Sequence, residues 1–207
     1  MRWRENSIEN LLPLSENRVN FMQALREWVY TGDMFDAEIA SEVCELCNHP
    51  EIRYQFRISN RYNSNELLVG SECINKFEIA ALDENGDVLD YKASRKKVQH
   101  DRRILVTEAK KRRLFNTLIK LKKNDDTFDI ESFITYVQDR GAFTPKQLSL
   151  LLWRLETYKI EYCITDFKLT IRRNREKEQL LRMADWKVKK IWQAMSTNQR
   201  NWYTENT

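Results

Sequence analysis

Four residues between positions 44 and 73 have the types and spacing for joint chemistry. Cys44 and Cys47 stand in a C-x2-C step, His49 follows two residues later, and Cys73 returns after a short apolar run. Two thiolates at that spacing reach one ion from a tight turn. A third, in the first turn of a helix, is favoured as thiolate by free N–H groups and the helix dipole. Structural zinc takes four ligands, cysteines alone or mixed with histidine. The stretch holds three cysteines, so His49 is the expected fourth ligand; the other histidine, His100, is far along the chain. A water or a carboxylate is the alternative occupant of that position. The competing reading is three unrelated buried thiols and a surface histidine. The expected cofactor is Zn2+, bound by Cys44, Cys47, Cys73 and His49.

These ligands need a turn, a hairpin and a helix to bring them together. Ile52, Tyr54, Phe56 and Ile58 alternate with Arg53, Gln55 and Arg57, the period of a half-buried strand. Asn60 to Asn65 is rich in turn formers, Glu66 to Val69 is a second strand, and Gly70 breaks it. Ser71 is a good N-cap for a helix carrying Cys73, Ile74 and Phe77. Knuckle, hairpin, then a helix with a cysteine in its first turn is the order of a treble-clef zinc module.

The residues C-E-L-C-x-H, an alternating strand, and then V-G-S-E-C-I-x-x-F resemble a zinc-finger module of uncharacterised bacteriophage and prophage proteins. A second stretch, Gly141-Ala142-Phe143-Thr144-Pro145-Lys146-Gln147, is similar to the G-x-[LF]-T-x-K-Q helix start that often follows such modules. The resemblance implies zinc and work on nucleic acid, and no defined activity.

The chain has 207 residues, 42% hydrophobic and 32% charged, with few Gly or Pro. That balance favours a helical protein with a sizeable core. No apolar run has the length of a membrane span and no signal peptide is read, so no membrane partner is expected. Cysteines without a secretion signal point to a reducing cytoplasm. The net charge of +4 conceals a segregation. Lys92 to Lys123 holds 13 basic and 2 acidic residues, and Lys168 to Arg200 holds 10 and 3, which leaves −14 for the rest.

The expected fold is α+β, mostly α. Residues 1–40 form an N-terminal helical segment, 41–91 the zinc module, and 92–207 a helical region. Residues 1 to 14 read as loosely ordered, with Trp3, Leu11 and Leu12 able to dock on the body. Ser15 is read as the cap of a helix to about Tyr30, with Val19, Met22, Leu25 and Val29 on one face and Gly32 as its stop. Asp33 to Val43 is read as a part-helical acidic connection with a solvated face. Asn85-Gly86 favours a type I′ hairpin pairing Ile79–Leu82 with Val88–Tyr91.

Residues 92–123 read as one long helix or two, with a seam of Val98, Leu105, Ala109, Phe115 and Ile119 widened by Leu114, Leu118 and Leu121. A helical hairpin over 124–158 follows. Asp129 caps its first helix and Gly141 ends it. Thr144, Pro145 and Gln147 start the second, whose buried stripe is Leu148, Leu151, Leu152, Leu155 and Tyr158. Cys163 reads as a core thiol. Residues 174–196 read as one helix with a seam of Leu181, Ala184, Val188, Ile191 and Met195. Trp186 and Trp192 lie off that seam, and packing on the body outweighs stacking on bases as their reading. The two long basic helices are expected to pair with each other.

No catalytic constellation emerges: there is no Walker loop, dinucleotide fingerprint or nucleophile elbow. Glu45 and Glu72 flank the cysteines, but a closed zinc site leaves no position for a reacting water. The deaminase order of H-x-E before P-C-x-x-C is not met. The chain reads as a non-enzyme without a small-molecule substrate. Basic helices suit nucleic-acid phosphates. The contacts would be Lys96, Lys97, Arg102, Arg103, Lys110, Lys111, Arg112, Arg113, Arg172, Arg173, Lys187, Lys189 and Lys190, seconded by Arg53, Arg57 and Arg61. The alternative is a phage-encoded adaptor or inhibitor that grips a host protein.

Overall fold

The computed structural model describes residues 2–207. The protein is α+β and 54% helical, with one small mixed sheet. The chain divides into two compact units, Met1–Ala109 and Lys110–Thr207.

In the first unit α1, Trp3–Leu11, runs into a 3-10 turn at Leu12–Leu14. The expected loose order is corrected there. Leu11 is fully buried, with Trp3 and Leu12 packed on the same core, as the docking reading expected. The helix expected from Ser15 to Tyr30 is also corrected. Only Phe21–Leu25 is helical (α2), capped by Asn20, whose side chain accepts from the Gln23 amide. Val19 is 93% exposed and Met22 57%. From Trp28 the chain is strand β1, Trp28–Asp36. The run Trp28-Val29-Tyr30-Thr31 is aromatic and β-branched, which suits a pleated surface once a partner strand is present.

That partner is β2, Tyr54–Asn60, antiparallel to β1 with Trp28 opposite Asn60 and Tyr30 opposite Ile58. The register slips between Tyr30 and Met34. Gly32, at φ +97°, lies within that irregularity and does not end a helix. Asp33 to Asp36 therefore belong to the strand rather than to a helical connection. β3, Glu66–Val69, pairs antiparallel with β2, and β4, Ala80–Ala81, runs parallel to β1, giving the order β3-β2-β1-β4. Leu82 bridges Val88 as expected. The turn is not type I′, because that turn needs positive φ at both central residues and Asn85 is not among those that have it. Instead the Asp83 carboxylate accepts from the Asn85 and Asp87 amides, and Gly86 takes φ +87°.

α3, Ser71–Lys76, follows the hairpin, with Gly70 rather than Ser71 at its N-cap. α4, Tyr91–Asn124, is one continuous helix. In the first unit it buries Ser94, Val98, Asp101, Leu105 and Ala109, the three- and four-residue steps of one face. The segments 1–40 and 41–91 share one core, which joins Leu11 and Trp28 to Cys44 and Ile74.

The second unit is helical. Its part of α4 buries Leu114, Leu118 and Leu121, while Phe115 is only partly covered and Ile119 is 45% exposed. α5 is Ile130–Arg140, capped by the Asp129 carboxylate and ended by Gly141 at φ +69°. α6, Pro145–Thr157, starts with a complete capping box between Thr144 and Gln147. Its residues Leu148, Leu151, Leu152 and Leu155 are fully buried, and Tyr158 lies at its end, 37% exposed. Each such leucine stabilises by roughly 1.5–3 kcal/mol.

The single helix expected over 174–196 is corrected to α7, Asn174–Leu181, and α8, Asp185–Ile191, followed by a 3-10 turn at Trp192–Ala194. The break shifts the apolar register: Leu180 is fully buried, while Leu181 is 38% exposed. α9, Thr197–Asn206, carries Trp202 and Tyr203 onto the core. The main neighbour of α7 and α8 is α6, so the expected direct pairing of the two basic helices is corrected as well. Cys163, expected in the core, is exposed beside a 3-10 turn at Ile164–Asp166.

Candidate functional site

Cys44 to Cys47 form a tight turn before β2, and Cys73 is the third residue of α3. The fold brings all three thiols together. Their sulfurs lie within 4.8 Å of one another. The Sγ–Sγ distances are 3.6 Å for Cys44–Cys73 and 3.2 Å for Cys47–Cys73, and all three are free cysteines. Three thiolates bonded tetrahedrally to one zinc at about 2.3 Å would stand about 3.8 Å apart, so small shifts would seat the ion. Amide N–H groups face the sulfurs. Those of Leu46, Cys47 and Gly70 donate to Cys44, the last at 3.5 Å, and that of His49 donates to Cys47. Such donors stabilise thiolate charge, and Asn48 at φ +57° turns the backbone between Cys47 and His49.

The thiols also compete for protons. Cys44 is held down to about 5, first by its hydrogen bond with Cys73 and then by the surrounding amides. Cys73 is pushed up by the same contact and by burial, and Cys47 is pushed up chiefly by burial. One thiolate thus opposes ionisation of the other two. A bound cation removes that opposition, so metal uptake should release protons.

His49 is exposed and does not join the three sulfurs within 4.8 Å, although it lines the same pocket. That pocket, of about 560 Å³, is also bordered by Trp3, Tyr54, Glu72, Lys76 and Arg102. Glu45, the other flanking carboxylate, accepts from the Leu68 amide at 2.5 Å and so ties the knuckle to β3. Reading the sequence missed a brace from α1. Asn6 donates to the Cys47 carbonyl and Asn10 to the Leu46 carbonyl, each at 3.1 Å. The i, i+4 spacing of two asparagines on one helix was the signal available for it.

The expected phosphate contacts fall into two groups. Lys96, Arg102, Arg103, Lys111 and Arg112 have exposed side chains on α4, as have Arg172, Arg173, Lys187 and Lys189 further on. Lys97, Lys110, Arg113 and Lys190 are half-buried. Of these, Lys97 pairs with Asp101 at 3.3 Å, Lys190 with Glu156, and Arg113 clamps Asp166 bidentately at 2.7 and 2.8 Å. Arg53 makes the same kind of clamp on Asp36, Arg57 reaches Asp33 and Glu66, and Arg61 lies over Tyr62. Arg53 and Arg113 therefore fix the fold locally.

No helix of the described residues is long and apolar enough to cross a membrane. Comparison of the chain with family models, with curated proteins and with solved structures gives no match.

Proposed function

We propose that the chain is a zinc-stabilised, non-catalytic nucleic-acid-binding protein, with a treble-clef module ordering a scaffold whose basic helix contacts phosphates. The three-thiol corner, its amide donors and the knuckle–hairpin–helix order support the zinc module. The resemblance of C-E-L-C-x-H and V-G-S-E-C-I-x-x-F to the phage zinc-finger proteins rests on those residues alone and belongs to this proposal. His49, at the rim of the same pocket, is the proposed fourth ligand.

The observation that carries the nucleic-acid reading is the charge that α4 presents to water. The helix holds two carboxylates. Asp101 is buried, accepting from the Tyr30 hydroxyl at 3.0 Å and pairing with Lys97. Glu108 is thus the one exposed carboxylate among the basic side chains of α4. A surface so one-sided attracts a polyanion and gives it no base-reading element, so sequence preference should be small.

The test is fluorescence anisotropy with labelled single- and double-stranded DNA and RNA across a salt series. The slope of log K against log salt is roughly −0.9 per phosphate contact on duplex DNA and −0.7 on single strands. Replacing Lys96, Arg102, Arg103 and Lys111 by alanine should weaken binding and flatten the slope. Arg113 is left alone, since its loss would strand the buried Asp166. No binding to any of the four probes at low salt would refute the reading and favour the host-protein adaptor.

A further inference from the structure

We propose that the groove between α6 and α8 takes the unstacked bases of a single nucleic-acid strand. The inference rests on the nucleic-acid reading and adds to it where, and in which strand form, the bases are held.

The groove has a volume of about 490 Å³ and is lined by Leu150, Trp153 and Trp186 together with Lys146, Arg182 and Lys187. Its origin lies in two register facts. α6 spends Leu148, Leu151, Leu152 and Leu155 on the core, which turns Leu150 and Trp153, three residues apart, to the opposite side. The break between α7 and α8 then lets α8 begin at Asp185 and bury Val188 and Ile191, which leaves Trp186 outward. Trp153 is 45% exposed, Trp186 55% and Leu150 40%. Two large indoles and a leucine around one concavity make an apolar patch of the kind that marks a binding surface.

Charge selects the occupant. Three of the lining side chains are cations and none is a carboxylate. Lys187 lies 5.3 Å from the Trp186 ring centroid. Among the described residues the carboxylate paired with these cations is Glu178, 4.0 Å from Arg182, with both side chains mostly in water, so Arg182 stays available. Aromatic faces beside cations suit a strand whose bases stack while its phosphates are neutralised. A duplex keeps its bases stacked on one another and cannot fill the groove in this way.

The experiment uses the full chain loaded with zinc and a fifteen-nucleotide oligothymidylate, alone or annealed to its complement. Trp186→Ala and Trp153→Ala should each weaken single-strand binding by roughly ten-fold. Duplex affinity and the salt slope should stay as they were, because no phosphate contact is lost. Trp186→Phe should recover most of the affinity, which a purely structural role for that exposed side chain would not predict. Circular dichroism of each variant checks the fold. If both alanine variants bind the single strand as tightly as the unaltered chain, the groove is not the base site, even where the phosphate reading holds. Binding of duplex alone, or quenching of these tryptophans by an acidic peptide and not by the oligonucleotide, would overturn the proposal too. Loss of all nucleic-acid binding by the unaltered chain would instead strike the parent reading.

Discussion

In Met1–Ala109, α4 buries Ser94 and Asp101 among its apolar positions; in Lys110–Thr207 the same helix buries Leu114, Leu118 and Leu121. The contrast extends through both cores. Ser94 accepts from the Ala81 amide and donates to the Leu89 carbonyl, and Asp101 accepts from the Tyr30 hydroxyl. Glu27 accepts from the Glu16 and Asn17 amides and from the Asn60 side chain, at 2.7 to 2.8 Å. Three thiols complete that core. The second unit is filled by leucines of α6 with Leu180, Val188, Ile191 and Met195, and among the described residues it buries four polar side chains, Asp125, Ser149, Asp166 and Glu176, against eight in the first unit, so the contrast is one of degree. Directional groups are satisfied only when all partners are in place, whereas apolar packing degrades gradually. With the proposed metal bound at the three thiols, the first unit should therefore fail as a whole when that metal is withdrawn, and the second should not notice.

Chelation is the largest effect expected. Structural zinc contributes an apparent 10–16 kcal/mol or so to small domains that it orders. Hydrogen exchange after chelation should accelerate at Cys44–Asn48 and across α3, while the amides of α6 stay protected. Cys73→Ser should reproduce much of the loss. His49→Ala should do less, because water replaces a neutral ligand more readily than a thiolate. Purified protein without stoichiometric zinc, or equal acceleration in both units, would break the comparison.

The mirror experiment is Leu118→Ala. Leu118 is fully buried in the second unit, and truncation there should cost about 2–5 kcal/mol. Zinc affinity should be unchanged. A variant with weakened zinc binding would show that the two cores are energetically one.

What could be read in advance follows from range. The cysteine spacing, the β2–β3 hairpin, Gly141 and the Thr144–Gln147 box are written in adjacent residues, and the three thiols do converge. β1 was not legible because its partner residues lie 18 to 32 positions further along the chain, while Val19, Met22, Leu25 and Val29 mimic helical spacing. The break after Leu181 was hidden because no Pro or Gly marks it, and neighbouring leucines disguise the register shift. Cys163 lies among apolar residues that turn out to bend around a 3-10 turn, which leaves its thiol outside.

Glu27 offers a smaller and more specific break. Burial pushes its carboxyl up, but the Asn60, Asn17 and Glu16 donors outweigh burial and hold it below the usual carboxylate range. A folded-state value below the unfolded one means stability that is present above the unfolded pKa of about 4.3 and lost as pH falls through the depressed value. Glu27→Gln should cost roughly 1–3 kcal/mol at neutral pH and flatten the acid limb of unfolding for the first unit. Acid titration of both proteins by circular dichroism checks it. An unchanged acid limb would mean that the Glu16 and Asn17 amides find water as readily as the carboxylate.

The smallest expected effect comes from a matched pair of caps, one in each unit. Thr144 accepts from the Gln147 amide at 3.3 Å and opens α6, thirteen residues long with four leucines fully buried. Asn20 accepts from the Gln23 amide at 3.1 Å and opens α2, only five residues long, with Met22 exposed. Each alanine substitution removes one side-chain acceptor; at α6 it leaves the Gln147 N–H to water, while at α2 the Gln23 N–H keeps the Asn20 carbonyl at 3.1 Å. The cost of fraying depends on what the first turn carries. At α6 the turn begins with buried Pro145 and leads to Leu148, so Thr144→Ala should cost about 1 kcal/mol. At α2 the turn carries little, and Asn20→Ala should cost about 0.5 kcal/mol, the low end of the same range. Thr144→Ser, which keeps the hydroxyl, should be nearly neutral. Urea unfolding of the zinc-loaded variants measures all three. A larger loss at Asn20 than at Thr144 would mean that local polar contacts, more than apolar packing, govern both units, and the contrast between them would not hold.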